Sequence, residues 1–366
     1  MKNRVASCAQ VCSNTGIRAL SHVLFLAALL APFSVAAAEE TCGSDPGTSP
    51  NHSDNYILGE ADGEAAAMHW ESGLVWKRCS QGQSWDGSGC GDEDGAEKKS
   101  WNGWMADFMP WRFADLDAWW SDLGSYKPPP MPASPPNRLL TGDWRMPYRL
   151  ELLLLTQGCD ENPTINRGVF PNASIRSFWS GSPDSIATNF ARGVNFYSGG
   201  SFFSNRPHAF YARLVRGGQP FEFLADPPAQ TAAPNAAVEF DAITLTASSD
   251  DNGSAAWGGA RIEGEGGPEF EVNGNGDWVT EAIVASGDAI RVRMNSSDVG
   301  TERTATLVLR SGQTQSTLDD ASNGGDEDTA MKETSAEFAV LAVAEELFND
   351  RFEQGASDVA TGDGRR

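Results

Sequence analysis

The chain has 366 residues, with 27 Lys and Arg against 50 Asp and Glu and a formal net charge of −23. So large an acid excess excludes nucleic-acid binding through bulk electrostatics, because each phosphate contact needs a basic partner. The length leaves room for more than one domain.

The N-terminus reads as an export leader. Lys2, Arg4 and Arg18 form a basic start, Val23 to Leu30 an apolar segment, and Val35-Ala36-Ala37-Ala38 a small-residue cleavage site before Glu39. Residues 1–38 are therefore expected to be a signal peptide cut after Ala38, with an uncleaved anchor as the alternative. The apolar segment is short for a span of ~20 residues, and no later stretch could cross a membrane. The three leader bases removed, 24 bases face 50 acids, a net of −26. The expected location is extracellular or at the cell surface, with the periplasm as alternative.

Four cysteines follow the leader: Cys42, Cys79, Cys90 and Cys159. An even count in an exported chain predicts two disulfides, and three pairings are possible. Pairing Cys79 with Cys90 closes a short polar loop, with Cys42–Cys159 as the second bridge tying the N-terminal arm to the middle of the chain. No cysteine pair has the spacing of a zinc hairpin, and His52, His69 and His208 show no ligand spacing. No metal or other cofactor is expected.

Composition divides the mature chain. Residues 39–66 form an acidic arm and 67–219 a Trp-, Arg- and Gly-rich globular domain. Residues 220–235 read as a Pro/Ala linker. Residues 236–318 hold short alternating strands, and 319–366 an acidic, mostly disordered tail.

Within the first domain, Gly73-Leu74-Val75-Trp76 reads as a strand running into Arg78-Cys79 and the cysteine-closed loop. Asp143-Trp144-Arg145-Met146-Pro147 leads into a helix whose Leu150, Leu153 and Leu154 share a face. Leu116, Trp119, Trp120 and Leu123 fit one face of another short helix, before Pro128-Pro129-Pro130. Pro163-Thr164-Ile165-Asn166 reads as a turn, Ser177-Phe178-Trp179-Ser180 as a strand, and Arg213-Leu214-Val215-Arg216-Gly217-Gly218 as a strand ending in a turn.

In this order the segments closely resemble the Lcl C-terminal domain family, named for the end domain of a Legionella collagen-like surface adhesin. The resemblance covers about 150 residues. It implies a compact, loop-rich α+β fold akin to C-type lectins and to formylglycine-generating enzymes. The chain departs from the family pattern at Tyr56 to Ala67, acidic and Ala-rich where a hairpin is usual, and between Trp101 and Asp143.

No catalytic constellation stands out: no nucleophile sits with a base and no carboxylates are paired. Lectin-type calcium triplets are absent, and Glu161-Asn162-Pro163 reads as a turn. The expected function is non-enzymatic recognition or adhesion, with anionic glycans or another envelope or surface component as partner. Arg167, Arg176, Arg192 and Arg206 are the candidate ligand arginines, and Trp111 and Trp120 the candidate sugar-stacking rings. Alternatively these arginines lie over the core or pair with acids, and Trp76, Trp85, Trp144 and Trp179 build that core. A formylglycine-generating-like enzyme and a purely structural envelope component are the competing functions.

In the second half, Ile290, Val292 and Met294 alternate with Arg291 and Arg293, and Ala305, Leu307 and Leu309 repeat the pattern. Asn273-Gly274 and Gly287-Asp288 read as turns. Six or seven such strands suggest an immunoglobulin-like β-sandwich acting as a spacer. In the tail, a helix is expected over 335–352, capped by Ser335, with Phe338, Leu341, Phe348 and Phe352 near one face.

Overall fold

The computed structural model describes residues 51–344 except 93–94, 110–143, 157–162, 185–186, 188, 218–220, 223, 248–255 and 316–327. The leader expected over 1–38, the Cys42–Cys159 bridge, Trp111, Trp120 and the helix expected around Trp119 lie outside these residues.

The first module is built on an antiparallel sheet ordered β1 (Tyr56–Ala61), β2 (Glu64–His69), β3 (Leu74–Lys77) and β9 (Val215–Arg216). Asp62 and Gly63 close the β1–β2 hairpin with φ of 52° and 73°, the left-handed pair that a tight two-residue turn requires. The acidic arm expected over 39–66 is thus corrected in its last third, which is half of this sheet. Side chains alternate between two buried faces. Tyr56, Ala67, Leu74 and Trp76 enter one core with Leu152, Phe170, Phe178 and Tyr211. Ile57, Ala66, Met68 and Val75 enter another. A sheet covered on both sides shows no polar stripe, so Glu64-Ala-Ala-Ala-Met-His69 carries no visible strand signal.

A second sheet, β5 (Ser177–Pro183), β6 (Phe190–Asn195) and β7 (Gly200–Asn205), packs beside it. The pair β4 (Lys99–Ser100) and β8 (Ala209–Phe210) leads into α1 (Trp101–Phe108). Ser100 caps α1 by accepting from the Gly103 amide. Trp101, Trp104 and Met105 fill a core with Trp179, Ala191 and Leu214.

The short helix α2 (Arg149–Leu154) buries Glu151 and Leu152, with Leu155 just beyond it. Leu150, Leu153 and Leu154, the expected inner face, are only half-buried. The helix turns this way because Glu151 is drawn inward by Arg145.

The second module pairs two sheets around one core. The larger is ordered β10 (Gln230–Ala232), β18 (Asp328–Ala342), β17 (Glu302–Gln315), β13 (Trp257–Gly264) and β15 (Glu281–Ala285). The smaller runs β11 (Ala237–Glu239), β16 (Ala289–Asn295), β12 (Ile243–Thr244), with β14 (Glu269–Val272) also on β16. Ile290, Val292, Met294 and Phe270 of the smaller sheet meet Ala260, Leu307, Leu309, Phe338 and Val340 of the larger. Outward-facing Arg291 and Arg293 pair with Glu271 and Glu269.

Three expectations are corrected here. The α+β class gives way to a mostly β chain, with two α-helices among the described residues. The larger sheet reaches beyond 236–318, taking β10 from the expected linker and β18 from the expected tail, and β10 runs parallel to β18. The outer strands of that sheet lie beyond the span on which the immunoglobulin-like assignment was made, and no family match covers this module. Finally, the expected helix start at Ser335 is strand: Ala336, Phe338, Val340 and Ala342 are buried in alternation, the period-2 signature. The remainder of 335–352 beyond 344 lies outside the described residues.

Candidate functional site

The ladder between β6 and β7 pairs Phe190 with Asn205 and Arg192 with Phe203, so all four share one face. On the opposite face, Phe202 packs into the tryptophan core beside Trp179 and Phe210. Adjacent phenylalanines on a strand must point opposite ways, so Phe203 is turned out and is 62% exposed. Phe190 meets it edge-on with centroids 5.7 Å apart, and the Arg192 guanidinium lies 5.8 Å from its centre.

Polar groups rim these rings. Asn189 Nδ2 donates to Asn205 Oδ1 at 3.0 Å. Arg192 is held by Asp184 at 2.9 Å, while the same carboxylate accepts from the Ala187 amide at 3.0 Å and shapes the β5–β6 turn. At the β7–β8 turn, Ser204 Oγ and His208 Nδ1 lie 2.7 Å apart, and His208 is exposed. Gly193 lets the two sides close up: a Cβ there would sit 2.4 Å from the Phe178 carbonyl oxygen and 2.5 Å from Phe202 Cζ.

Three internal devices brace the rest of the module. Cys79 and Cys90 form a disulfide with Cα atoms 5.4 Å apart. It closes a loop whose Trp85 lies 4.2 Å beneath the guanidinium of Arg78, the residue just before Cys79. Asp86 accepts from the Ser88 and Gly89 amides at 2.8 Å each, and these bonds hold its carboxyl below the usual carboxylate range.

Arg145 grips Glu151 bidentately, 2.7 Å at each contact, and Glu151 also accepts from the Tyr148 amide. The backbone of Arg145 bonds Val215 in both directions, so the ion pair ties α2 to the first sheet. Arg213 is fully buried beneath Phe170 at 4.7 Å. Its Nη1 donates to the carbonyls of Lys77 and Arg78 at 2.8 and 2.6 Å. Burial pulls its pKa down to about 9.

These are the residues of the Gly-Leu-x-Trp strand, the cysteine loop, the Trp-Arg-x-Pro helix start and the Arg-Leu-Val-Arg strand, now brought together on adjoining cores. Residues 66–216 match the Lcl C-terminal domain family. No curated protein and no solved structure matches the chain.

Within the matched segment the four candidate arginines do not converge. Arg192 stands on the outer face described above. Arg206 is buried 4.5 Å from the Trp101 ring centre, its Nε directed to the Phe190 carbonyl. Arg176 is exposed and precedes β5, at the end of the sheet far from Arg192. Arg167 is exposed on the turn after Asn166. Of the tryptophans expected in the core, Trp76 and Trp179 are buried, whereas Trp85 and Trp144 are half-buried under arginines. Among the described residues, no cluster of three or more His, Cys, Asp or Glu could hold a metal ion.

Phe190, Phe203, Asn189 and Asn205 were absent from the expected site. For Phe203 and Asn205 the signal was available in Gly199-Gly200-Ser201-Phe202-Phe203-Ser204-Asn205. Two adjacent rings on a strand with a single core force one of them into solvent.

Proposed function

We propose that the chain is an exported, non-catalytic recognition protein whose Lcl C-terminal domain contacts glycans through the outer face of β6 and β7. The observation that carries this reading is Phe203, 62% exposed and flanked by Phe190 and Arg192 on a rigid sheet. A sugar ring offers an apolar C–H face and a rim of hydroxyls. The apolar face suits the two phenylalanines, and the hydroxyls suit Asn189, Asn205 and Arg192. Ring stacking carries more of the contact than charge, because Arg192 is matched by Asp184 and Arg206 lies under Trp101.

The Cys79–Cys90 bridge supports export, since such bonds persist in oxidising compartments. It also supports binding over chemistry of the formylglycine-generating kind, which needs reactive thiols. The reading places the protein outside the cytosol, at the surface or secreted.

The test is a glycan array probed with residues 39–366, repeated with Phe203→Ala and Arg176→Ala. Phe203→Ala is expected to weaken capture about tenfold, the weight of one aromatic contact, at unchanged melting temperature. Arg176→Ala is expected to leave capture intact. An array without hits, or capture indifferent to Phe203→Ala, removes this reading and leaves a structural envelope role.

A further inference from the structure

The outer face of the first sheet is apolar, and the second module covers it. Ile57, Ala66, Met68 and Val75 are each at most 1% exposed and pack with Trp257 and Ile283 of β13 and β15. A Cβ on Gly259 of β13 would sit 2.8 Å from Met68 Sδ and 2.9 Å from Ile57 Cδ1, so glycine there lets the sheets approach.

The contact is locked by interleaved rings and guanidiniums. Arg216, the last residue of the family match, lies between Trp144 at 4.1 Å and Trp257 at 4.3 Å, and pairs with Asp62 at 2.7 Å. In the reverse sense, Trp70 of the first module lies between Arg261 at 4.4 Å and Arg310 at 4.5 Å of the second. Arg261 also donates to the Asp54 carbonyl at 2.8 Å.

Beside these stacks the two backbones touch. The Gly312 amide donates to the Gly73 carbonyl at 2.8 Å. A Cβ on Gly73 would fall 2.3 Å from the Gly312 nitrogen, and one on Gly217 would fall 2.2 Å from the Gly312 oxygen. Gly73 has φ of +71°, which favours glycine independently. Three glycines from separate segments meet where no side chain fits.

We propose that residues 221–343 are the permanent folding partner of this Lcl C-terminal domain rather than a spacer. The domain's own sheet has an apolar outer face, and the surface it fits is the β13–β15–β17 face of the same chain. Separated from it, the domain would expose a continuous apolar patch, which soluble monomers avoid. Cation–π stacks on both sides of the seam, the buried Arg216 one and the half-buried Trp70 one, fix the orientation. The recognition face and the second module therefore move as one body.

The experiment uses the full mature chain with a specific protease site placed within residues 218–220, folded and then cut. The cut halves are expected to co-elute by size exclusion at physiological salt and to unfold in a single calorimetric transition. Trp70→Ala combined with Arg216→Ala is expected to weaken their association tenfold or more, about the weight of one desolvated stack. Gly312→Val, which wedges the backbones apart, is expected to separate them. If the unsubstituted halves part after cutting, or melt at two independent temperatures, the proposal is overturned. If they stay equally tight through Trp70→Ala, Arg216→Ala and Gly312→Val, the seam is not what joins them and the proposal fails as well.

Discussion

Replacing Glu151 with alanine should destabilise the first module more than any surface change. Its carboxylate is 1% exposed and faces Arg145, whose side chain is 8% exposed. Both oxygens are engaged at 2.7 Å. Removing it strands a buried guanidinium, which costs about 3–5 kcal/mol. The Tyr148 amide also loses its acceptor, a capping contribution of about 1 kcal/mol. Against a typical total of about 5–15 kcal/mol, the sum of about 4–6 kcal/mol brings the module close to unfolding. Removing both charges should be milder: Arg145→Met with Glu151→Leu should cost only about 1–2 kcal/mol, because no lone charge remains. Urea denaturation followed by tryptophan fluorescence, run as a double-mutant cycle with Arg145→Met and Glu151→Leu as the single variants, reads the difference as a coupling of about 2 kcal/mol or more. A Glu151→Ala cost below about 1 kcal/mol, or a double variant as unstable as the two singles combined, would show that Arg145 and Glu151 are not coupled as a buried ion pair.

Reducing the Cys79–Cys90 bond, which spans 11 residues, should lower stability by about 2.8 kcal/mol from released loop entropy. Mass-verified reduction without a shift in the denaturant midpoint contradicts that. Asp86 is held below its ordinary 3.8 by the amides of Ser88 and Gly89. Its folded-state preference for the charged form is complete above that value and lost as pH falls through the lower folded one. The Asp86 carboxyl and the Ser88 amide should thus titrate together below 3.8 by NMR, and a midpoint at or above it refutes the turn. Gly193→Ala, whose new Cβ meets the Phe178 carbonyl and the Phe202 ring, should cost about 1–3 kcal/mol through overpacking. It should also dull capture on the glycan array, whereas an unchanged melting curve would show that β6 and β7 can part without strain.

Some of this architecture was readable because local chemistry decided it. Cys79 and Cys90 lie in a polar, glycine-rich loop that closes on itself. Asn273 and Gly274 both take the left-handed backbone that their types tolerate, with φ of 56° and 66°. Ile290, Val292 and Met294 face one core while Arg291 and Arg293 face acids across the ladder. What was illegible depended on partners far away in sequence. The alanines of β2 show no alternation because both their faces are covered, one by elements over a hundred residues distant. The run Ser335-Ala-Glu-Phe-Ala-Val-Leu-Ala342 has residues that favour helix, yet its strand parity fits the sheet offered by β17, with which it pairs as far as Leu341. Tertiary burial outweighs propensity there.

The arginines show where residue type stops being informative and geometry begins. A Trp- and Arg-rich segment with few neighbouring acids invites the reading of an anion-binding surface. Here the guanidiniums of Arg78, Arg206 and Arg216 instead lie over tryptophan rings, and Arg213 reaches backbone carbonyls. These planar cations, more weakly hydrated than ammonium groups, brace loops that have few regular hydrogen bonds of their own. Parity along the strand then separates strut from ligand candidate. Arg192 shares its face with Phe203 and reaches solvent, whereas Arg213 and Arg216 close the inner sheet and cannot. The residues of the family motif therefore build a scaffold, and the residues of the proposed binding face lie on β6 and β7, outside the motif residues that carried the resemblance. The chemistry that names the domain and the surface that would give it a purpose are thus carried by different residues.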